Sequence, residues 1–341
     1  MVRQERRAHK AARVTSKKRL DIGLIIRSYK VGSGELGGAT DRAASDIMTV
    51  LWRRSGLVLL PVLTAIFAAA APAWSQERAA PPGNDAQAAC RPSNFRVAVD
   101  VGHTVAVPGA ISARGATEYS FNLRLGESIK QSLVKAGFDK TELLITGAAP
   151  PLGLLERAVR ANKMHADLFL SIHHDSVPDN LLQTWNYEGQ DYHYNDSYPG
   201  YALFVSYDNP DRAGSLTFGH ILGEALQARR LGYTPHYILP LMRHRRRKLV
   251  DQAAGVYRYD QLVVLRLTHM PAVLLEAGSI INRREELALA DPERVALESA
   301  AVVAAVEDFC AARGKARVAK RLPARRPVAR RGPVRGVRFA R

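Results

Sequence analysis

Two spacings of apolar residues alternate along the middle of the chain. FRVAVDVGH (95–103) is a nearly continuous apolar run and predicts a strand buried on both faces. TEYSFNLRLGESIKQSLVKAG (117–137) sets Phe121, Leu125, Ile129 and Leu133 on one helical stripe and closes at Gly137. TELLIT (141–146) reads as a strand, LLERAVRANKMHA (154–166) as a helix, and LFLSIHHDS (168–176) as a strand whose end meets solvent in turn-forming residues. A strand follows at YALFVSY (201–207), a helix near 212–231, strands at LVVLRLT (262–268) and PAVLLEAG (271–278), and a long helix over 292–312. This order predicts the α/β class: a single three-layer sandwich domain with a mostly parallel central sheet flanked by helices.

Charge changes where that domain begins and ends. Of the formal +17 over 341 residues, residues 1–54 carry +8 and residues 313–341 carry +12, so the body between them is mildly acidic. The basicity lies in the flanks, which argues against nucleic acid as a partner despite the pI near 10.2. Arg53 and Arg54 precede an apolar stretch from Leu57 to about Ala71, and small residues continue to Ser75. That is the layout of a secretory signal over 48–75. A membrane anchor would need roughly 20 apolar residues, and this stretch is shorter and contains Pro61 and Pro72. Met48 is the expected start, which makes residues 1–47 a misread leader or a disordered segment. Residues 76–90 read as a flexible linker, 91–312 as the catalytic domain and 313–341 as a basic disordered tail. Export to the periplasm or cell envelope is therefore expected, with no membrane span once the signal is cleaved. The only cysteines, Cys90 and Cys310, stand at the two ends of the domain. They form either a closing disulfide or two buried thiols.

Ligands of parallel sheets gather at the carboxyl ends of strands. The first strand ends in Gly102-His103, the third in His173-His174 and the last in Glu276-Ala277-Gly278, while Glu118 opens the first helix. Two His and one or two Glu on one rim match the ligand set of a catalytic zinc site. The spacing carries no compact metal signature such as HExxH. Successive strand residues point to opposite faces, so one of His173 and His174 is expected in the rim pocket and the other on the far side. Glu276 ends an otherwise apolar strand, where a buried charge is costly without a metal or partner.

The blocks VAVDVGHT…PGAISARGATEYSFNLRLGESI, LLERAVRANKMHADLFLSIHHDS and MPAVLLEAGSIINRREEL together resemble the zinc-dependent N-acetylmuramoyl-L-alanine amidases of the bacterial cell wall. The resemblance runs from about residue 95 to 290. It implies hydrolysis of the amide between N-acetylmuramic acid and L-alanine in peptidoglycan, with Zn²⁺ held by His103, Glu118 and His173 and Glu276 as the catalytic carboxylate. It also implies peptidoglycan as partner, leaves room for a protein activator, and fits a monomer. The chain departs from the family at GHTVAVPGA, at HHDS in place of HANS, and in an aromatic-rich insertion at 178–200, whose rings either stack on substrate or pack the loop. The basic tail either holds anionic wall or lipid or only solubilises the chain. Two other readings stay open: a non-catalytic peptidoglycan-binding protein on the same scaffold, and a zinc peptidase cutting within stem peptides.

Overall fold

A computed structural model describes residues 90–321. The expected leader, signal and most of the linker and basic tail lie outside the described residues. Seven strands form the central sheet: β1 (Val97–Val101), β2 (Thr141–Leu144), β3 (Leu168–Asp175), β6 (Ala202–Val205), β7 (Lys248–Asp251), β8 (Val256–Arg258) and β9 (Ala272–Ser279). A separate hairpin joins β4 (Gln183–Tyr187) and β5 (Gln190–Tyr194). The sheet order is β2-β1-β3-β9-β6-β8-β7, and its strands are parallel except for the β9/β6 and β8/β7 pairs.

Alternation along these strands divides the core in two. Val97, Val99, Leu170, Ile172, Val273 and Leu275 face one side, where α1 (Glu118–Lys135), α3 (Arg212–Gln227) and α6 (Pro292–Arg321) pack. Ala98, Phe169, Phe204, Ala272 and Leu274 face the other, covered by α2 (Leu152–Lys163) and α4 (Val263–Leu267). A short α5 (Glu285–Ala290) joins β9 to α6. Because both faces are covered, the strands read as continuous apolar runs, as parallel sheets require. The α/β sandwich expected from the pattern is the architecture observed.

One expected strand is a helix. Residues 262–268 contain α4, not a strand. Its Val263, Val264 and Leu265 are all buried, so the run shows no period that separates helix from strand. The decision is made by distant side chains: Asn209 Nδ2 donates to the carbonyls of Leu265 (2.7 Å), Thr268 (3.2 Å) and Met270 (3.1 Å), and Asn162 Nδ2 to that of Leu267 (2.9 Å). These amides satisfy backbone oxygens that would otherwise need a neighbouring strand. The final helix also runs to Arg321, beyond the expected end at 312.

Cys90 and Cys310 are joined in a disulfide with Cα atoms 5.3 Å apart across a separation of 220 residues. The aromatic insertion supplies the β4–β5 hairpin. Its Trp185 stacks on Tyr187 with centroids 5.3 Å apart and donates from Nε1 to the Ala113 carbonyl at 2.8 Å. The Arg114 and Arg283 guanidinium groups each lie 5.1 Å from the Trp185 ring centroid. The rings pack the insertion onto the domain.

Candidate metal centre and its cleft

Each of the four expected site residues reaches the carboxyl rim of the sheet. β1 ends at Val101, and Gly102 and His103 turn off it, His103 in the left-handed region at φ 65°. That unusual backbone is braced from below. The buried Arg157 of α2 donates to the His103 carbonyl and lies 3.6 Å from the Asp100 carboxylate, which also accepts from Ser171 Oγ at 2.7 Å. Glu118 is placed by the start of α1, where the Thr117 side chain accepts from the Ser120 N–H as N-cap. The preceding loop folds back: the Glu118 and Tyr119 N–H groups donate to the Ala110 and Pro108 carbonyls.

His103 Nε2 lies 3.0 Å from Glu118 Oε2, and His173 Nδ1 lies 2.9 Å from Glu118 Oε1. One donor atom from each of the three falls within 4.8 Å of the others. The carboxylate therefore sits between two imidazoles and offers one oxygen to each. Burial pushes the Glu118 carboxyl up, but hydrogen bonds from and the charge of His103 and His173 outweigh it and hold the group well below the ordinary carboxylate range.

His173 and His174 part as strand alternation predicts. His173 continues the row of Phe169 and Ser171, while His174 continues Leu170 and Ile172 beneath α1. There the buried His174 pairs Nδ1 with Asn122 Oδ1 at 2.8 Å and its ring lies 5.5 Å from that of Phe121. Burial first, with nearby cations, pulls its pKa down to about 3, so it stays neutral. Asn122 Nδ2 in turn reaches Glu118 Oε1 at 3.3 Å and the Gly102 carbonyl at 3.2 Å. His174 thus supports the carboxylate through Asn122.

Glu276 lies opposite His173 in the parallel register of β3 and β9, and both line one cleft of about 560 Å³. The residue as a whole is half-buried, yet its Oε2 is fully enclosed and has no hydrogen-bond partner among the described residues. Burial, and then the nearby Asp175 and Glu118 charges, push its carboxyl well above the usual range; Arg245 offsets part of this. Asp175, which accepts from the Tyr237 hydroxyl at 2.7 Å, is itself raised to about 7, mainly by burial.

The trio fits a bound cation on two grounds, the space left around it and the chemistry of its donors. A Cβ on Gly109, whose φ is +82°, would come within 2.4 Å of Glu118 Oε2, and one on Gly102 within 2.4 Å of His173 Nε2. Only glycine leaves the cradle open at both places. The imidazole–carboxylate–imidazole donor set also suits zinc-like divalent ions. Sequence reading missed Asp100, Arg157, Asn122, Asp175 and Tyr237. Of these, Asp100 carried a visible signal, an acid inside the apolar run VAVDV.

Comparison with known proteins adds the family. The family described as N-acetylmuramoyl-L-alanine amidase matches residues 97–308. Among solved structures, the amidase Ami1 from Mycobacterium smegmatis is 17% identical with a TM-score of 0.49, covering 64% of this chain and 98% of that one. The catalytic domain of CwlV from Bacillus (Paenibacillus) polymyxa is 22% identical with a TM-score of 0.46, covering 63% and 97%. None of the curated proteins compared matches the chain.

Proposed function

The chain belongs to the N-acetylmuramoyl-L-alanine amidase family, and from that premise we propose that it is an exported zinc enzyme that cleaves the amide joining the lactyl group of N-acetylmuramic acid to L-alanine of the stem peptide. His103, Glu118 and His173 would hold the ion. Bound there, zinc supplies Lewis acidity, which polarises an amide carbonyl and acidifies water. Glu276 is the proton carrier: its carboxyl group lines the cleft, takes a proton from the attacking water and returns one to the departing alanine nitrogen. The products are a free lactyl carboxylate and a stem peptide with a free amino terminus, so atoms and charge balance with one water consumed.

The raised affinity of Glu276 for protons suits that double role, because a carboxylate too acidic would not accept the proton. Asn122 and Arg157 act on either side of the trio: one holds the Glu118 carboxylate and the His174 ring, the other the His103 backbone. The single observation that carries the reading is the placement of an unpartnered buried carboxylate across from His173 in the same cleft as the other two His/Glu groups. Digestion of purified peptidoglycan with product analysis tests it: intact stem peptide released from uncut glycan supports the amidase. Cuts within the stem would indicate a peptidase, and zinc binding without cleavage a binding protein. Among the described residues no helix is long and apolar enough to cross a membrane.

A further inference from the structure

The cleft has a second, cationic wall. Residues 243–248 read RHRRRK, and His244, Arg245 and Arg247 from this run line the same cleft as His173 and Glu276. The run is held in place: Met242 is buried, Arg243 turns the backbone at φ 47°, and the Arg247 N–H donates to the Tyr237 carbonyl at 2.8 Å. The Arg247 guanidinium lies 3.6 Å from the Tyr259 ring centroid and donates from Nη1 to the carbonyls of His244 (2.8 Å) and Arg246 (2.9 Å). Its Nε is buried and has no partner among the described residues. Arg245 makes one long contact, Nη1 to the Ser176 carbonyl at 3.4 Å.

Neither half-buried arginine forms a salt bridge among the described residues, although buried cations are normally paired. Several other arginines of the domain do have carboxylate partners: Arg114 with Glu286, Arg283 with Asp196, Arg294 with Glu298. Arg247 is held by the Tyr259 ring and two carbonyls, while Arg245 makes only one long contact. Both line the substrate cleft with no carboxylate salt bridge among the described residues, an arrangement suited to attracting an incoming carboxylate. On the amidase reading, the charge cannot come from the sugar side: the lactyl carboxyl is consumed in the scissile amide, and N-acetylated sugar rings are neutral. It must come from the peptide.

We propose that Arg245 and Arg247 are specificity-determining residues that bind a free carboxylate on the peptide side of the scissile bond, so that the enzyme prefers acidic stem peptides over those with that group amidated. The inference rests on the amidase reading and asks more of it.

The test uses two soluble muropeptides, identical except that the first carboxylate beyond L-alanine is free in one and a carboxamide in the other. The zinc-loaded wild type should turn over the acid with a KM roughly 10–100-fold lower and a similar kcat, as loss of one charge-assisted hydrogen bond implies. Arg245→Gln and Arg247→Gln should each raise KM for the acid, leave KM for the amide nearly unchanged, and together erase the preference. Binding of both muropeptides to zinc-loaded Glu276→Gln, measured by calorimetry, reports the same preference without turnover. Equal wild-type kinetics and equal binding of the two substrates would overturn the inference while leaving the amidase standing. Variants that lose kcat equally on both and keep the wild-type ratio of the two KM values would also overturn it, reducing the arginines to counter-charges for Asp175 and Glu276. If neither muropeptide is cleaved, the amidase reading fails, and the binding comparison alone then decides whether the arginine wall selects a carboxylate.

Discussion

His173 and Glu276 stand directly opposite one another in the parallel register of β3 and β9, with side chains on the same face of the sheet. Two neighbouring strands thus deliver one nitrogen donor and one unpartnered carboxylate to a single cleft, and α1 brings Glu118 over the rim to complete it. The division of labour in this arrangement can be tested residue by residue.

Glu276→Gln should keep the fold and the zinc yet lose activity by roughly 10²–10⁴-fold, the usual cost of removing a general base. The amide has nearly the same volume, so packing gives no reason for change. Zinc content, melting temperature and turnover on one preparation check this; full activity in a zinc-loaded variant contradicts the role.

His173→Ala should empty the metal site, whereas His174→Ala should retain zinc and lose stability. His174 lies on the opposite face and makes its hydrogen bond to Asn122, so its removal leaves a buried acceptor unsatisfied at a cost of about 1–3 kcal/mol. Metal analysis beside thermal melts distinguishes the pair, and the reverse pattern would overturn the strand-face assignment.

How much of this was legible in the sequence follows from how local each signal is. His103, His173 and Glu276 stood out as candidates because each lies at or near the carboxyl end of an apolar run, and the structure places them just past β1, two residues before the end of β3 and three before the end of β9. Period-two alternation showed that His173 and His174 part to opposite faces; that His173 is the one facing the pocket came only from the family resemblance. What was not legible depends on partners far away in the chain. The 262–268 run is helical because Asn209 and Asn162, 56 and 105 residues from their acceptors, collect its carbonyls. Arg157 reaches His103 across 54 residues. The cysteines left pairing open in the sequence, and only the 5.3 Å approach of their Cα atoms joins them.

Gly109→Ala should weaken zinc binding by about 10–100-fold, the range typical when groups that orient ligands are disturbed. Its Cβ would press on Glu118 Oε2 at 2.4 Å and on His103 Cδ2 at 2.8 Å. Gly189→Ala is the matched control: its φ of +83° imposes the same backbone strain, but nothing lies within 4 Å of the added Cβ. Zinc titrations of both variants should separate them; equal affinities would show that a Cβ at Gly109 does not disturb the ligands.

Reducing the Cys90–Cys310 bond should lower stability without touching the metal site. For a loop of 220 residues the chain-entropy account gives roughly 5 kcal/mol. Urea unfolding with and without reductant measures it, and thiol titration of the unfolded, unreduced chain should find no free thiol. Two free thiols would remove the staple from the account.

The most direct test of the central claim is mass analysis of purified peptidoglycan digested by the zinc-loaded protein, run beside Glu276→Gln and a chelated sample. The account predicts that the wild type releases complete stem peptides beginning at L-alanine and leaves glycan strands with free lactyl carboxylates, while both controls release almost none. Fragments cut within the stem peptide, or unaltered wall after incubation with zinc-loaded wild type, would contradict it.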